Sequence, residues 1–123
     1  QYTVRLIAGG QAITRTLEVA LDPRVEVQRA DLESLLEFQQ QVKMRLTRVV
    51  ELQEEIEAGN EESRSSAVAG IQQKVADALT ELAIDLEHSD LAPTTSQRAL
   101  FDYESNRFDR AENEWKGLRV NFP

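Results

Sequence analysis

The sequence contains no cysteine and only one histidine among its 123 residues. The absence of cysteine excludes disulfide bonds, thiolate nucleophiles and zinc sites built on cysteine. No apolar run approaches the roughly 18 residues that a transmembrane helix needs. Basic residues number 14 against 22 acidic residues, which gives a net charge of −8. This charge opposes general nucleic-acid binding and docking on anionic membranes, because both depend on lysine and arginine. We therefore expect neither partner.

Residues 1–22 have the pattern of a β-hairpin. Gly9 and Gly10 suit a two-residue turn in which both positions need a positive φ. Pairing outward from this turn sets Leu6 against Ile13, Val4 against Arg15 and Tyr2 against Leu17. An isolated hairpin is marginally stable in water, so its apolar face predicts an interface with a further strand or chain. The candidate interface residues are Tyr2, Val4, Leu6, Ile13, Leu17, Val19 and Leu21.

From residue 31 the apolar period changes from two to that of a helix. Residues 31–123 predict a three-helix up-down-up bundle, mainly α, which a linker at 23–30 joins to the hairpin. The first helix carries a heptad seam that consists of Leu32, Leu35, Gln39, Val42, Leu46, Val49, Gln53 and Ile56. Leu36, Phe38 and Val50 widen this apolar face, which favours a bundle over a free coiled coil.

The stretch AGNEESRSS predicts a flexible loop after the first helix. The second helix is expected from about Ser66 to Glu87, with Val68, Ile71, Val75, Leu79, Leu82 and Leu86 facing inward. Thr94 and Gln97 have the spacing of a capping box at the start of the third helix. That helix is expected to end near Gly117, with Phe101, Phe108, Ala111, Trp115 and Leu118 inward.

Few residues offer chemistry. His88 neighbours Glu87 and Asp90, but one histidine with loop acids is too little for a zinc site, and no glycine-flanked serine suggests a triad. We interpret His88 as a surface residue at a helix C-terminus. An acidic run lacks the aspartate spacing of a calcium loop and is interpreted as a solvated helix end: Glu51, Glu54, Glu55, Glu57, Glu61 and Glu62. We predict no catalytic residue, metal or cofactor.

Two further groups of side chains have structural interpretations. Lys43, Arg45 and Arg48 form a basic patch, which we expect to pair with nearby acids. The aromatic side chains of the third helix recur at helical spacing, which is typical of a core rather than of a sugar-binding platform. This group consists of Phe101, Tyr103, Phe108 and Trp115.

The hairpin and the segment that follows it resemble a known family. YTVRL at residues 2–6, a glycine turn and DPRV at 22–25 are similar to the last two strands of the Ig-like module in bacterial BNR-repeat, sortilin-like proteins, often labelled glycosyl hydrolases. ADLESLLEF from Ala30 and DLAPTTSQRALFD from Asp90 look like the family's helix openings, and Trp115 falls where its third helix often carries an aromatic. Gln28 departs from the pattern, in which a capping serine or threonine is expected.

This resemblance implies that residues 1–22 are the end of an Ig-like sheet in a larger exported protein, periplasmic or secreted. An upstream β-propeller would then hold any glycosidase activity, and no catalytic motif of the family matches this chain. We expect a non-catalytic C-terminal accessory domain with protein partners, which are its own upstream domains or a second copy bound through the hairpin. The alternatives are a dimerising or partner-binding coiled coil that uses the 32–56 seam, and a glycosidase.

Overall fold

The computed structural model describes residues 1–64 and 66–121. Two strands, β1 (Tyr2–Ala8) and β2 (Gln11–Leu17), precede the helices α1 (Arg29–Glu57), α2 (Glu61–Arg64), α3 (Ala67–Glu87) and α4 (Thr95–Asn121). The predicted class, mainly α with an N-terminal hairpin, is confirmed. Among the described residues, no helix is both long and apolar enough to cross a membrane.

The hairpin has the register that its turn predicts. Both turn glycines take positive φ angles, 58° at Gly9 and 76° at Gly10, as a type I′ turn requires. β1 and β2 pair antiparallel with Leu6 opposite Ile13 and Tyr2 opposite Leu17. β2 ends at Leu17, so Val19 and Leu21 lie beyond the ladder rather than prolonging it.

Hydrogen bonds between helices fix the up-down-up order of the bundle. Gln39 near the start of α1 donates to the carbonyl of Leu86 at the end of α3, so α1 and α3 are antiparallel. α1 and α4 run parallel, because four side-chain bonds between them join residues that are all 64 positions apart. These pairs are Ser34 with Arg98, Arg45 with Asp109, Arg48 with Glu112, and Glu55 with Arg119.

The core of α1 is rotated relative to the predicted seam. Alternate seam positions are buried, namely Leu35, Val42, Val49 and Ile56, whereas the residues between them are half-buried. Leu52 lies outside the predicted seam and is fully buried, together with Phe38. Leu36 and Val50, which were expected to widen the core face, are exposed. The rotation arises because α4 packs along the side of α1 that carries Phe38, whose ring meets Phe101 edge-on at 5.4 Å.

The inward faces of the other helices follow the prediction, except that Ile71, Phe101 and Leu118 are half-buried and Tyr103 is exposed. All expected inward residues of α3 are buried except Ile71, which is half-buried. On α4, Phe108, Ala111 and Trp115 are buried. Tyr103 was expected in the core and is 61% exposed, which corrects that prediction. Its side chain lies on the solvent-exposed side of α4, where the guanidinium of Arg107 lies over the ring at 5.6 Å.

The stretch predicted as a flexible loop contains the short helix α2. The Asn60 side chain accepts hydrogen bonds from both the backbone nitrogen and the hydroxyl of Ser63, each at 2.9 Å. Arg64 donates to the carbonyls of Glu57 and Gly59, which stand at the end of α1. These bonds satisfy backbone carbonyls that a helix C-terminus leaves unpaired. Local side-chain capping therefore orders residues 60–64, although the composition of this stretch suggests flexibility.

Of the three long helices, α3 and α4 begin at residues with capping side chains, whereas α1 does not. Thr94 and Gln97 form the predicted capping box, with the Gln97 nitrogen donating to the Thr94 hydroxyl at 3.1 Å and the Thr94 nitrogen donating back to the Gln97 side chain at 2.9 Å. Ser66 caps α3. Gln28 gives α1 no side-chain cap. α4 continues through Gly117 to Asn121, so the predicted end at Gly117 is wrong.

Candidate interaction surface

The apolar face of the hairpin is exposed to solvent. Tyr2, Val4 and Leu6 on β1 share this face with Ile13 and Leu17 on β2, and these five residues are called the hairpin face below. Each is at least 51% exposed, and Tyr2 reaches 63%. None belongs to the hydrophobic core that the helices build among the described residues. Val19 and Leu21, predicted with this interface, are also exposed but lie outside the ladder.

The outer edges of both strands also lack a neighbouring strand in the part of the chain that the structure describes. In a hairpin with a two-residue turn, the residues that flank the turn exchange both of their backbone hydrogen bonds. Alternate residues therefore turn their backbone groups away from the partner strand. Ala8 lies opposite Gln11 at the turn, which fixes the alternation along both strands. The residues whose backbone N–H and C=O groups point away from the partner strand are Thr3, Arg5 and Ile7 on β1, and Ala12, Thr14 and Thr16 on β2.

A tight turn follows the hairpin at Asp22. The Asp22 carboxylate accepts hydrogen bonds from the backbone and the guanidinium of Arg24, the shortest at 2.8 Å. The side-chain bond from Arg24 is the main cause that lowers the pKa of Asp22. The carbonyl of Asp22 also accepts from the nitrogen of Val25, which closes a β-turn around Pro23. This turn fixes the chain direction locally between the hairpin and α1.

A second polar cluster bridges α1 and α4. Arg48 donates through Nε to Glu112 at 2.6 Å and also contacts Glu51 and Glu55. Glu55 in turn accepts from the indole nitrogen of Trp115 at 3.3 Å. Every carboxylate in the cluster has a basic or indole donor, so the cluster joins the helices and offers no unpaired nucleophile or base.

The electrostatics of the cluster centre on the pair of Arg48 and Glu112. Burial by itself would raise the pKa of Glu112, but the hydrogen bond and positive charge of Arg48, with Lys116, hold that pKa below its usual value. The hydrogen bond with Glu112 is the main cause that raises the pKa of Arg48. Both groups therefore remain ionised over a wider pH range than they would in the unfolded chain.

The other residues that the sequence singles out have structural roles. His88 is exposed at the C-terminus of α3, with Nδ1 2.8 Å from the Ile84 carbonyl, which confirms the interpretation of a surface histidine. Arg45 and Arg48 pair with acids as predicted, although their main partners lie on α4. Glu55 departs from the predicted solvated helix end, since it is one-third exposed. The described residues include no group of three or more metal-binding side chains.

The grooves on the helices are open to solvent. One of the larger grooves, about 590 Å³, lies between α1 and α3 and is lined by Leu36, Leu46 and Ala83. Another, about 540 Å³, is lined by Trp115, Glu55 and Arg119. The polar side chains at its wall are already bonded to each other. Neither groove brings unpartnered acid, base and nucleophile together, so neither has the arrangement of an active site.

Comparison of the chain with protein-family models, with curated proteins and with solved structures finds no match.

Proposed function

We propose that the chain is a non-catalytic accessory domain that joins a larger protein through its N-terminal hairpin. In this proposal the helices form a self-contained bundle, and the hairpin completes a β-sheet supplied by a neighbouring protein domain. The resemblance to BNR-repeat, sortilin-like proteins supports an Ig-like sheet as that neighbour and an exported, periplasmic or secreted setting. Any glycosidase activity would then reside in the neighbouring β-propeller.

The observation that carries the proposal is the contrast between the two parts of the chain. The helices share a core of large apolar side chains, for example Phe38 and Phe108, which are at most 2% exposed. The hairpin face remains more than half exposed, although sheets normally bury one face. Two strands alone are marginally stable, so additional strands or packing would stabilise this element most directly. Strand addition satisfies the backbone edge, and the second sheet of an Ig-like sandwich would cover the apolar face.

The alternative of a coiled-coil module has less support. A coiled coil needs its seam free to meet another helix. Here Leu35, Val42, Val49 and Ile56 are at most 5% exposed within the bundle. The polar seam residues also have partners inside the chain, since Gln39 donates to Leu86 and Gln53 accepts from Gln72. The seam would have to open before it could bind a second helix.

The test uses the full-length product of the gene, beginning with the reading frame upstream of the Gln1 codon. The proposal expects a β-rich region there, followed by an Ig-like module. Limited trypsin digestion then reports the state of the hairpin, because Arg5 and Arg15 both lie in exposed strands. We expect these bonds to be cleaved rapidly in the chain of 123 residues and slowly in the full-length protein.

A pair of matched variants makes this test specific to the hairpin face. Leu6 and Ile7 are neighbours on opposite faces and have similar exposure, 62% and 66%. Leu6→Asp should restore rapid cleavage in the full-length protein, whereas Ile7→Asp should leave the protection largely intact. Equal cleavage of the hairpin in both contexts would contradict the proposal. The proposal that the domain is non-catalytic would be contradicted if the chain itself hydrolysed aryl glycosides and one carboxylate substitution abolished this activity.

A further inference from the structure

The apolar alternation of β2 continues beyond the end of its ladder. Ile13 and Leu17 lie on the hairpin face, and Val19 and Leu21 follow them at the same two-residue period. The strand itself ends at Leu17. Residues 18–22 form no helix, strand or turn in the structure, although their sequence keeps the strand pattern. The pattern of β2 is therefore longer than the ladder that it forms with β1.

The backbone groups beyond the ladder have no partner. Leu17 lies opposite Tyr2, and in this register the two residues exchange both of their backbone hydrogen bonds. In an extended continuation of β2, alternation directs the backbone groups of Val19 and Leu21 to the same side as those of Leu17. Neither residue makes a backbone hydrogen bond within the described part of the chain. Their side chains are also 60% and 49% exposed.

We propose that residues 18–21 bind a three-residue strand segment that immediately precedes Gln1 in the larger protein. The segment prolongs β1 in its existing register, which sets Gln1 opposite Glu18 and the residue directly before Gln1 opposite Val19. The third residue before Gln1 then lies opposite Leu21. This inference rests on the proposed function, in which the chain belongs to a larger protein. It names the first part of that protein that the hairpin contacts.

Continuity with the existing ladder identifies the segment as part of the same polypeptide. A strand from another molecule on this line would have to end beside Tyr2, because β1 already occupies the position opposite Leu17. The ladder would then be interrupted at Gln1. A segment joined to Gln1 by a peptide bond carries the ladder on without a break, and its pairing closes no additional loop. Direct continuation of β1 is therefore the occupant that the register favours.

The turn at Asp22 sets the length of the segment. Pro23 has no backbone N–H, and the carbonyl of Asp22 accepts a hydrogen bond from the nitrogen of Val25 at 3.0 Å. The chain therefore leaves the strand direction after Leu21. A segment of three residues reaches the position opposite Leu21, and a longer segment finds no further partner on β2.

The two faces of the hairpin determine the chemistry of the segment. Its first and third residues, counted back from Gln1, lie on the hairpin face opposite Val19 and Leu21. Both should therefore be apolar, and β-branched or aromatic residues suit this position best. Its middle residue lies opposite Ala20 on the polar face. This alternation prolongs the apolar face that the neighbouring sheet is proposed to cover.

Hydrogen exchange of three chains tests the pairing. The chains are the unmodified one, one with Val-Thr-Val added before Gln1, and one with Pro-Gly-Pro added there. With Val-Thr-Val, the amides of Val19 and Leu21 should exchange about two- to tenfold more slowly, which is the factor that one net hydrogen bond supplies. Pro-Gly-Pro is the matched control, because its prolines lack the N–H donors that the ladder needs.

The neighbouring amides provide an internal reference for this experiment. Glu18 and Ala20 direct their backbone groups away from β1 in the proposed register, so their amides should exchange at similar rates in all three chains. Unchanged exchange at Val19 and Leu21 with Val-Thr-Val, or equal slowing with Pro-Gly-Pro, would overturn the proposal.

A disulfide tests the register, since the chain has no cysteine of its own. Adding Val-Cys-Val before Gln1 to the Ala20→Cys variant sets two cysteines in a non-hydrogen-bonded pair, where Cα atoms about 4.5 Å apart suit a disulfide. The control joins the same extension to Val19→Cys, whose side chain lies on the opposite face. Under a glutathione redox buffer, the first chain should form an intramolecular disulfide and the second should not. Equal disulfide formation in both chains would overturn the assigned register.

The residues encoded immediately before the Gln1 codon give an independent check. The proposal expects apolar residues at the first and third positions before Gln1. A charged residue or a proline at either position would overturn it.

These results are distinguishable from failure of the proposed function. A hairpin that is protected from trypsin in the full-length protein, although Val19 and Leu21 stay unpaired in the extended chain, would refute the segment alone. A hairpin that is cleaved equally in both contexts, although the extension protects Val19 and Leu21, would refute attachment to a larger sheet and leave the segment standing.

Discussion

Replacement of Trp115 by alanine should remove a large part of the stability of the bundle. Trp115 lies on α4, and its side chain belongs to the hydrophobic core of the bundle, where it is 4% exposed. A buried tryptophan removes about 150–250 Å² from water, which at about 25 cal/mol per Å² corresponds to about 4–6 kcal/mol. Alanine retains part of this burial, and the surrounding core relaxes only partly, so the expected loss is about 3–5 kcal/mol.

The indole hydrogen bond adds little to this value. Its acceptor, Glu55, lies 3.3 Å away and keeps Arg48 and Arg119 as donors after the substitution. The carboxylate is also one-third exposed, so water can replace the indole. We expect the hydrogen bond to contribute less than about 1 kcal/mol. Trp115→Phe, which keeps a ring but no N–H donor, should therefore be much less destabilising than Trp115→Ala.

Urea unfolding followed by far-UV circular dichroism measures these differences. Tyr103→Ala is the matched control, since Tyr103 is an aromatic residue of the same helix but is 61% exposed. Its replacement should cost below about 1 kcal/mol, mainly from the ring contact with Arg107. Trp115 is the only tryptophan, so the fluorescence of the unmodified chain reports on this site alone. A loss under about 1 kcal/mol with water-exposed emission would refute the assignment of Trp115 to the core.

Two further predictions concern α4. Because the folded-state pKa of Glu112 lies below the ordinary value of 4.5, its stabilisation is present above that pH and is lost as the pH falls through the lower folded value. In Glu112→Gln, the unfolding free energy should therefore fall less between pH 4.5 and lower pH than it does in the unmodified chain or in the exposed control Glu114→Gln. Urea unfolding at a series of pH values measures this dependence, and the same pH dependence in all three chains would contradict the assignment. Thr94→Ala should cost about 1 kcal/mol in chemical denaturation, because it removes the acceptor for the Gln97 nitrogen. Thr95→Ala, one residue later, should cost less, and equal losses would argue against the capping box.

Local sequence signals predicted the elements whose geometry depends on a few adjacent residues. Two glycines set the hairpin register because a primed turn leaves one way to pair the strands. The capping box at Thr94 was readable because its bonds span only three residues. Gly117 did not predict the end of α4 correctly, because a glycine can also lie within a helix. Gly117 does not adopt the positive φ of a C-terminal helix cap, and α4 continues to Asn121.

Features that depend on how helices align could not be predicted from one helix at a time. Arg48 was expected to pair with nearby acids, but its closest bond is to Glu112, which the parallel alignment of α1 and α4 brings opposite. The same alignment buries Leu52 and leaves Leu36 exposed. Heptad spacing defines an apolar stripe but does not say where a second neighbouring helix will widen it. The apolar face of the hairpin, in contrast, follows from alternation within the hairpin alone.

Deletion of residues 1–22 tests the central claim most directly, namely that the helices form a complete fold and the hairpin is an interaction element. The account predicts that the shortened chain keeps the helicity and the unfolding free energy of the bundle, because every residue from 1 to 22 is exposed. Circular dichroism with urea denaturation measures both quantities, and sizing of the same sample should show a monomer. A bundle that unfolds or loses much of its stability without the hairpin would contradict the account.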